Sequence, residues 1–178
     1  MFHNIENNTI TLIGRIGFDP ENKNKKHISQ SSWKRIAMIY FKGDICQYYA
    51  WFIKKRYRIN LQRPLRYSHV SFINDSIKEL SINNTKSMEQ IDEDWNKLKN
   101  KWDNKKIEIS LNTDVRSNGK TWWLNLSEDS KKKIKEIRSE VGLGDLYFGE
   151  HMTIGIVNDK FLKHSEYILD GIRRGLID

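Results

Sequence analysis

The chain has 178 residues and a formal net charge of +8, from 31 Lys+Arg against 23 Asp+Glu. Its hydrophobic fraction of 38% supports a folded core and excludes a wholly disordered chain, while 10 Gly and 2 Pro exclude collagen-like and proline-rich classes. One cysteine, Cys46, excludes an intrachain disulfide framework and a cysteine-rich zinc site.

Residues 1–32 are expected to form an N-terminal extension. It holds one weakly alternating strand, Thr9-Ile10-Thr11-Leu12-Ile13, and a polar, turn-rich stretch from Asp19-Pro20 to Ser32. Residues 33–178 are expected to form one domain. Residues 35–41 read as a buried strand closed by Gly43-Asp44. Beyond it Ile45, Tyr48, Tyr49, Phe52 and Ile53 recur at helical spacing, with Asp44 as a natural N-cap and Pro64 closing the region. Lys54-Lys55-Arg56 and Arg58 follow this aromatic helix and read as a solvated face, with a basic rim as the alternative, and Cys46 reads as a buried thiol. A second strand runs through Tyr67-Ser68-His69-Val70-Ser71-Phe72-Ile73 to Asn74-Asp75.

Ser87-Met88-Glu89-Gln90 has the form of a capping box, and the helix it opens carries Met88, Ile91, Trp95, Leu98 and Trp102 on one core-facing stripe. Ile107, Ile109 and Leu111 alternate in a strand. Asn118-Gly119 predicts a type I′ hairpin turn, with the returning strand over residues 120–126. Ser127 caps a helix carrying Ile134, Ile137 and Val141, which ends at Gly142 as its C′ residue; Lys131-Lys132-Lys133 reads as its solvated face. A strand over residues 151–157 closes at Asn158-Asp159, and a last helix carries Phe161, Ile168, Leu169 and Ile172.

The longest apolar run, Ile36 to Phe41, is far below the roughly 20 residues that span a bilayer. Met1-Phe2-His3-Asn4 lacks the basic-then-apolar start of a signal peptide. A cytoplasmic chain with no membrane partner is expected, and the positive balance suits a polyanionic one.

Two segments share an order of residues. His69-Val70-Ser71-Phe72-Ile73-Asn74-Asp75 and His151-Met152-Thr153-Ile154-Gly155-Ile156-Val157-Asn158-Asp159 each run from a histidine through a hydroxyl residue two later and an apolar strand to Asn-Asp. Residues i and i+2 of a strand point to one face, so His69 pairs with Ser71 and His151 with Thr153. A hydroxyl donates to a phosphoryl oxygen, and an imidazole moves a proton to or from the attacking or leaving oxygen. Two such strands meeting in one cleft would set an imidazole on either side of one phosphorus, one neutral and one protonated, with no metal required. Composition alone gives about 0.6 His-x-Ser/Thr triplets. The chain has three, but His27-Ile28-Ser29 lies in a polar stretch, so strand context and duplication 82 positions apart carry the signal.

His69-Val70-Ser71-Phe72 and His151-Met152-Thr153-Ile154 resemble the paired His-x-Ser/Thr-x motifs of the two-histidine (2H) phosphoesterases. That superfamily includes RNA 2′,5′-ligase-like proteins, cyclic nucleotide phosphodiesterases, 2′,5′-oligoadenylate phosphodiesterases and phage enzymes that cleave cyclic oligonucleotide immune signals. The resemblance covers residues 34–178, and the strand over residues 121–126 with its following helix also sits where the family has them. It implies a bilobal α+β fold, with two pseudo-symmetric antiparallel sheets flanking a central cleft and helices outside. It implies metal-independent cleavage of a phosphodiester, with no cofactor, in a cyclic oligonucleotide, a 2′,3′-cyclic phosphate or 2′,5′-linked RNA. His69 and His151 would then be the acid/base pair, and Ser71 and Thr153 would hold the phosphate oxygens.

Strand phase supplies the remaining candidates. Trp122, Leu124 and Leu126 read as core, whereas Trp123 lies between Thr121 and Asn125 on the other face, either as ordinary core or interface burial or as a stacking platform for a nucleobase. Lys120 and Arg66 are candidates to neutralise phosphate. The alternative reading is a non-catalytic RNA- or nucleotide-binding module that keeps the cleft. Other motifs fail: the first glycine of a phosphate-binding loop ending at Gly119-Lys120-Thr121 would fall on Asp114, and no Gly-x-Ser-x-Gly elbow is present.

Overall fold

Local signals set the helix ends in the computed structural model, which describes residues 8–20, 35–64, 68–73, 86–146 and 149–157. Helix α1, Ile45–Tyr57, starts where the Asp44 carboxylate accepts from the Gln47 amide at 2.9 Å, and stops at Arg58 in the left-handed conformation. Helix α2, Met88–Trp102, has the complete Ser87/Gln90 capping box. Helix α3, Glu128–Ser139, is capped by Ser127 and turns off through Gly142 at φ 77°. The expected last helix, the turn-rich stretch before residue 35 and Arg66 lie outside the described residues.

The described strands are β1 Thr9–Phe18, β2 Ala37–Phe41, β3 Leu61–Gln62, β4 His69–Ile73, β5 Lys106–Ser117, β6 Thr121–Leu126 and β7 His151–Val157. They join in one antiparallel sheet in the order β3-β7-β6-β5-β1-β2-β4, which makes the fold α+β. Strand β4 is at one edge and β7 is next to the other, yet Cα atoms of the two approach within 8 Å. The sheet therefore curls into a half-barrel.

One face of the sheet is the core. Ile16, Ile39, Val70, Phe72, Ile109, Leu111, Leu124, Leu126, Met152 and Ile154 are buried with Cys46, Tyr49 and Ile53 of α1, Trp95 and Leu98 of α2, and Ile134 and Ile137 of α3. Met88, expected on the α2 core stripe, is 56% exposed because it sits in the first turn, short of the sheet contact. Arg138 of α3 is fully buried: Nη1 donates to the Phe72 carbonyl of β4, and Nε donates to the Gly144 carbonyl at 2.8 Å.

Three local expectations change. Strand β1 is paired along both edges, to β2 and β5, so residues 9–18 belong to the sheet and not to an extension. The hairpin after β5 is not type I′, because Asn118 does not have positive φ and only Gly119 does, at 93°. Instead the Asn118 side-chain carbonyl accepts from the amides of Lys120 and Thr121, an Asx turn. The two-residue strand β3, unmarked in the sequence, pairs with β7.

That pairing explains Gly155, where the motif strand has no side chain. A Cβ there would stand 2.8 Å from the Gln62 carbonyl oxygen and 2.9 Å from Leu61 Cβ, too close for either to stay. Gly155→Ala is expected to cost about 1–3 kcal/mol by overpacking and to loosen β3, read as a lower urea midpoint. An unchanged midpoint would mean that β3 does not press on β7.

Candidate functional site

The pleat sets the motif side chains on the sheet face opposite the core. In β4, His69 and Ser71 are half-buried while Val70 and Phe72 are buried; in β7, His151 and Thr153 are half-buried while Met152 and Ile154 are buried. Each His–hydroxyl pair therefore shares one face, as the spacing predicts. The curl of the sheet draws the two strands together.

Helix α1 fixes their separation. Its first turn lies between the motif strands: the Cys46 amide donates to Ser68 Oγ at 3.0 Å, and Cys46 Sγ donates to the Thr153 carbonyl at 3.3 Å. Ser68 immediately precedes His69 and is fully buried. Burial pushes the Cys46 thiol pKa up, which keeps the proton on sulfur for this contact. One residue thus links the second motif to the residue that precedes the first, a role its sequence context does not signal.

His151 is oriented from behind. Its Nδ1 is 3.0 Å from the Gly149 carbonyl, and a carbonyl only accepts, so Nδ1 carries the hydrogen. Nε2 is then the ring nitrogen that can take or give a proton. Gly149 holds φ 68°, a conformation that aims its carbonyl at the ring and favours glycine.

Trp123 stands beside His151. It pairs across the strands with Thr153, Asn125 pairs with His151, and the Trp123 and His151 rings have centroids 6.1 Å apart, tilted by 60°. Trp123 Nε1 donates to Asn125 Oδ1 at 2.9 Å, which holds the indole in place. The ring is half-buried, unlike Trp122, which is 2% exposed in the core. On the other side, Tyr40 of β2 pairs with His69, their ring centroids 6.3 Å apart. A Cβ on Gly17 would meet the Tyr40 ring at 2.8 Å, so the absence of a side chain there leaves room for that ring beside β1.

The structure does not gather every candidate. Lys120 lies in the hairpin turn, whereas His151 is level with Asn125, five residues further along β6 and about 16 Å away at strand rise. Arg116 of β5 is the cation that register brings instead. It is exposed and pairs directly with Trp123, so the two side chains share a face. Sequence reading misses Arg116 and Tyr40 because cross-strand neighbours depend on register, and the β5–β6 turn centres on Gly119-Lys120, with the Asn118 amide donating to the Thr121 carbonyl, which sets Arg116 opposite Trp123 and not Thr121.

Among the described residues no group of three or more His, Cys, Asp and Glu is arranged to hold a metal ion. No described helix is long and apolar enough to cross a membrane. No family model matches the chain, and searches of curated proteins and of solved structures found no match.

Proposed function

We propose that the chain is a 2H-type phosphodiesterase that cleaves a nucleotide or oligonucleotide phosphodiester without a metal, using His69 and His151 as an acid/base pair. The observation that carries this reading is the convergence of β4 and β7, with both His–hydroxyl pairs on the solvent-facing side of one curled sheet. On this reading the sheet divides into β4-β2-β1 and β5-β6-β7-β3, one motif strand in each half, joined at the β1–β5 pairing. These halves would be the two pseudo-symmetric lobes of the 2H fold, with the cleft between them.

The chemistry follows from the groups present. A phosphodiester seated between the motifs accepts hydrogen bonds from the Ser71 and Thr153 hydroxyls. One imidazole takes the proton of the attacking hydroxyl or water, and the other gives a proton to the leaving oxygen. His151 enters with Nε2 directed by its bond to Gly149. Arg116 offsets phosphate charge, and a base attached to that phosphate can stack on Trp123.

The test is turnover in EDTA of 3′,5′- and 2′,5′-linked cyclic oligonucleotides, 2′,5′-oligoadenylate and RNA ending in a 2′,3′-cyclic phosphate. One class is expected to be cleaved, with a bell-shaped pH–rate profile near neutrality. A rate that rises steadily to high pH contradicts paired imidazoles. Trp123→Ala is expected to weaken binding of the cleaved substrate by about 1–3 kcal/mol with an unchanged circular dichroism spectrum. A variant that fails to fold would instead make the indole a core element.

A further inference from the structure

Helix α1 carries a second feature, on the face turned away from the sheet. Cys46, Tyr49 and Ile53 are buried against the core, whereas Tyr48 and Trp51 are 59% and 55% exposed. Gln47, Tyr48, Trp51, Lys54 and Lys55 are all exposed, and their spacing of three and four places them on one stripe, with the exposed Arg58 just past the helix end. The Tyr48 and Trp51 rings have centroids 6.4 Å apart and are tilted by only 31°. The sequence of α1, ICQYYAWFIKKRY, contains no acid, and the Asp44 carboxylate at its start is held by Arg63 at 2.7 Å.

Lys54, Lys55 and Arg56 in the last turn complement the helix dipole. The dipole gives no reason for two neighbouring aromatic rings in water on the preceding turns. Burial gives none either, since the apolar side of the helix is already covered. Two neighbouring exposed rings followed along the same stripe by cations suit a single nucleic acid strand: bases stack on the rings and phosphates meet the ammonium and guanidinium groups. The stripe lacks the aliphatic side chains that an interfacial membrane helix buries.

We propose that this face of α1 is a binding track for a single-stranded nucleic acid. The proposal stands apart from turnover at the histidines. The track begins on the helix whose first turn contacts Ser68 and Thr153, and it rises about 12 Å from Gln47 to Lys55.

The test measures fluorescence anisotropy of labelled oligoadenylate dodecamer and dinucleotide with the full chain, at several salt concentrations. The dodecamer is expected to bind more tightly, to quench Trp51 fluorescence and to weaken as salt rises. Tyr48→Ala and Trp51→Ala are each expected to lower dodecamer affinity about 5- to 100-fold. Lys54→Glu with Lys55→Glu is expected to flatten the salt slope by about two. All four residues are exposed, so folding is retained and checked by circular dichroism. Dodecamer binding is expected to persist in His69→Ala and His151→Ala, and small-substrate turnover to persist in the α1 variants, which separates the two proposals. Dodecamer affinity no better than that of the dinucleotide, or unchanged in the α1 variants, overturns the track. So does binding confined to vesicles of equal phosphatidylcholine and phosphatidylserine.

Discussion

Replacing His69 or His151 by alanine is expected to lower phosphodiester turnover by about 10²–10⁴-fold, with KM changed far less than kcat. Each change removes one of the two proton transfers and leaves the hydroxyls of Ser71 and Thr153 in place to bind phosphate. The two rings serve one reaction, so the double variant should be little slower than the worse single variant. Both side chains are half-buried on the solvent-facing side of the sheet, and the core beneath is made by Val70, Phe72, Met152 and Ile154. Circular dichroism and the urea midpoint should therefore stay close to wild type. A substrate with a strongly acidic leaving group should restore most of the rate to whichever variant lacks the acid, since that oxygen then departs without a proton. Full activity in either alanine variant would assign that histidine to the scaffold.

Arg138→Ala is expected to lower stability by about 3 kcal/mol. The guanidinium is 1% exposed, and it donates to the carbonyls of Phe72 in β4 and Gly144 in the loop after α3. Truncation leaves both carbonyls short of a donor in a dry environment and opens a cavity the length of the side chain. Arg138→Lys should recover only part of the loss, because one ammonium cannot reproduce the planar fork that reaches two carbonyls in different segments. Urea denaturation measures both. Because Phe72 lies on the His69 strand, loss of activity in Arg138→Ala at temperatures well below its midpoint would also show that the clamp positions β4. A loss of stability under about 1 kcal/mol would mean that the guanidinium is not a clamp.

Local features were the most legible in the sequence. The Asp44 cap, the Ser87/Gln90 capping box, the Ser127 cap and the Gly142 turn-off each depend on residues within a few positions of one another. The face shared by each His–hydroxyl pair was equally plain, since strand alternation is a two-residue rule. What the sequence hides is pairing across distance. Thr9–Phe18 looks weakly patterned because the exposed Ile13 interrupts the polar face made by Thr9, Thr11 and Arg15, yet it lies in the interior of the sheet. Arg116 reaches Trp123 only because the hairpin turns on Gly119-Lys120, and Cys46 reaches both Ser68 and Thr153 only after the sheet curls. Lys120 fails for a related reason: its nearness to Trp123 in sequence becomes length along a strand, not proximity to His151. The candidate site is thus half legible, with its chemistry in two short motifs and its surroundings in register.

In the proposed reaction two imidazoles, one from β4 and one from β7, act on the same phosphorus. Single-turnover rates in EDTA, measured for wild type, His69→Ala, His151→Ala and the double variant on whichever panel substrate is cleaved, test it most directly. Loss of at least about 10²-fold is expected in each single variant, with little further loss in the double. Losses that multiply, or a wild-type rate that vanishes in EDTA and returns with a divalent cation, would contradict it.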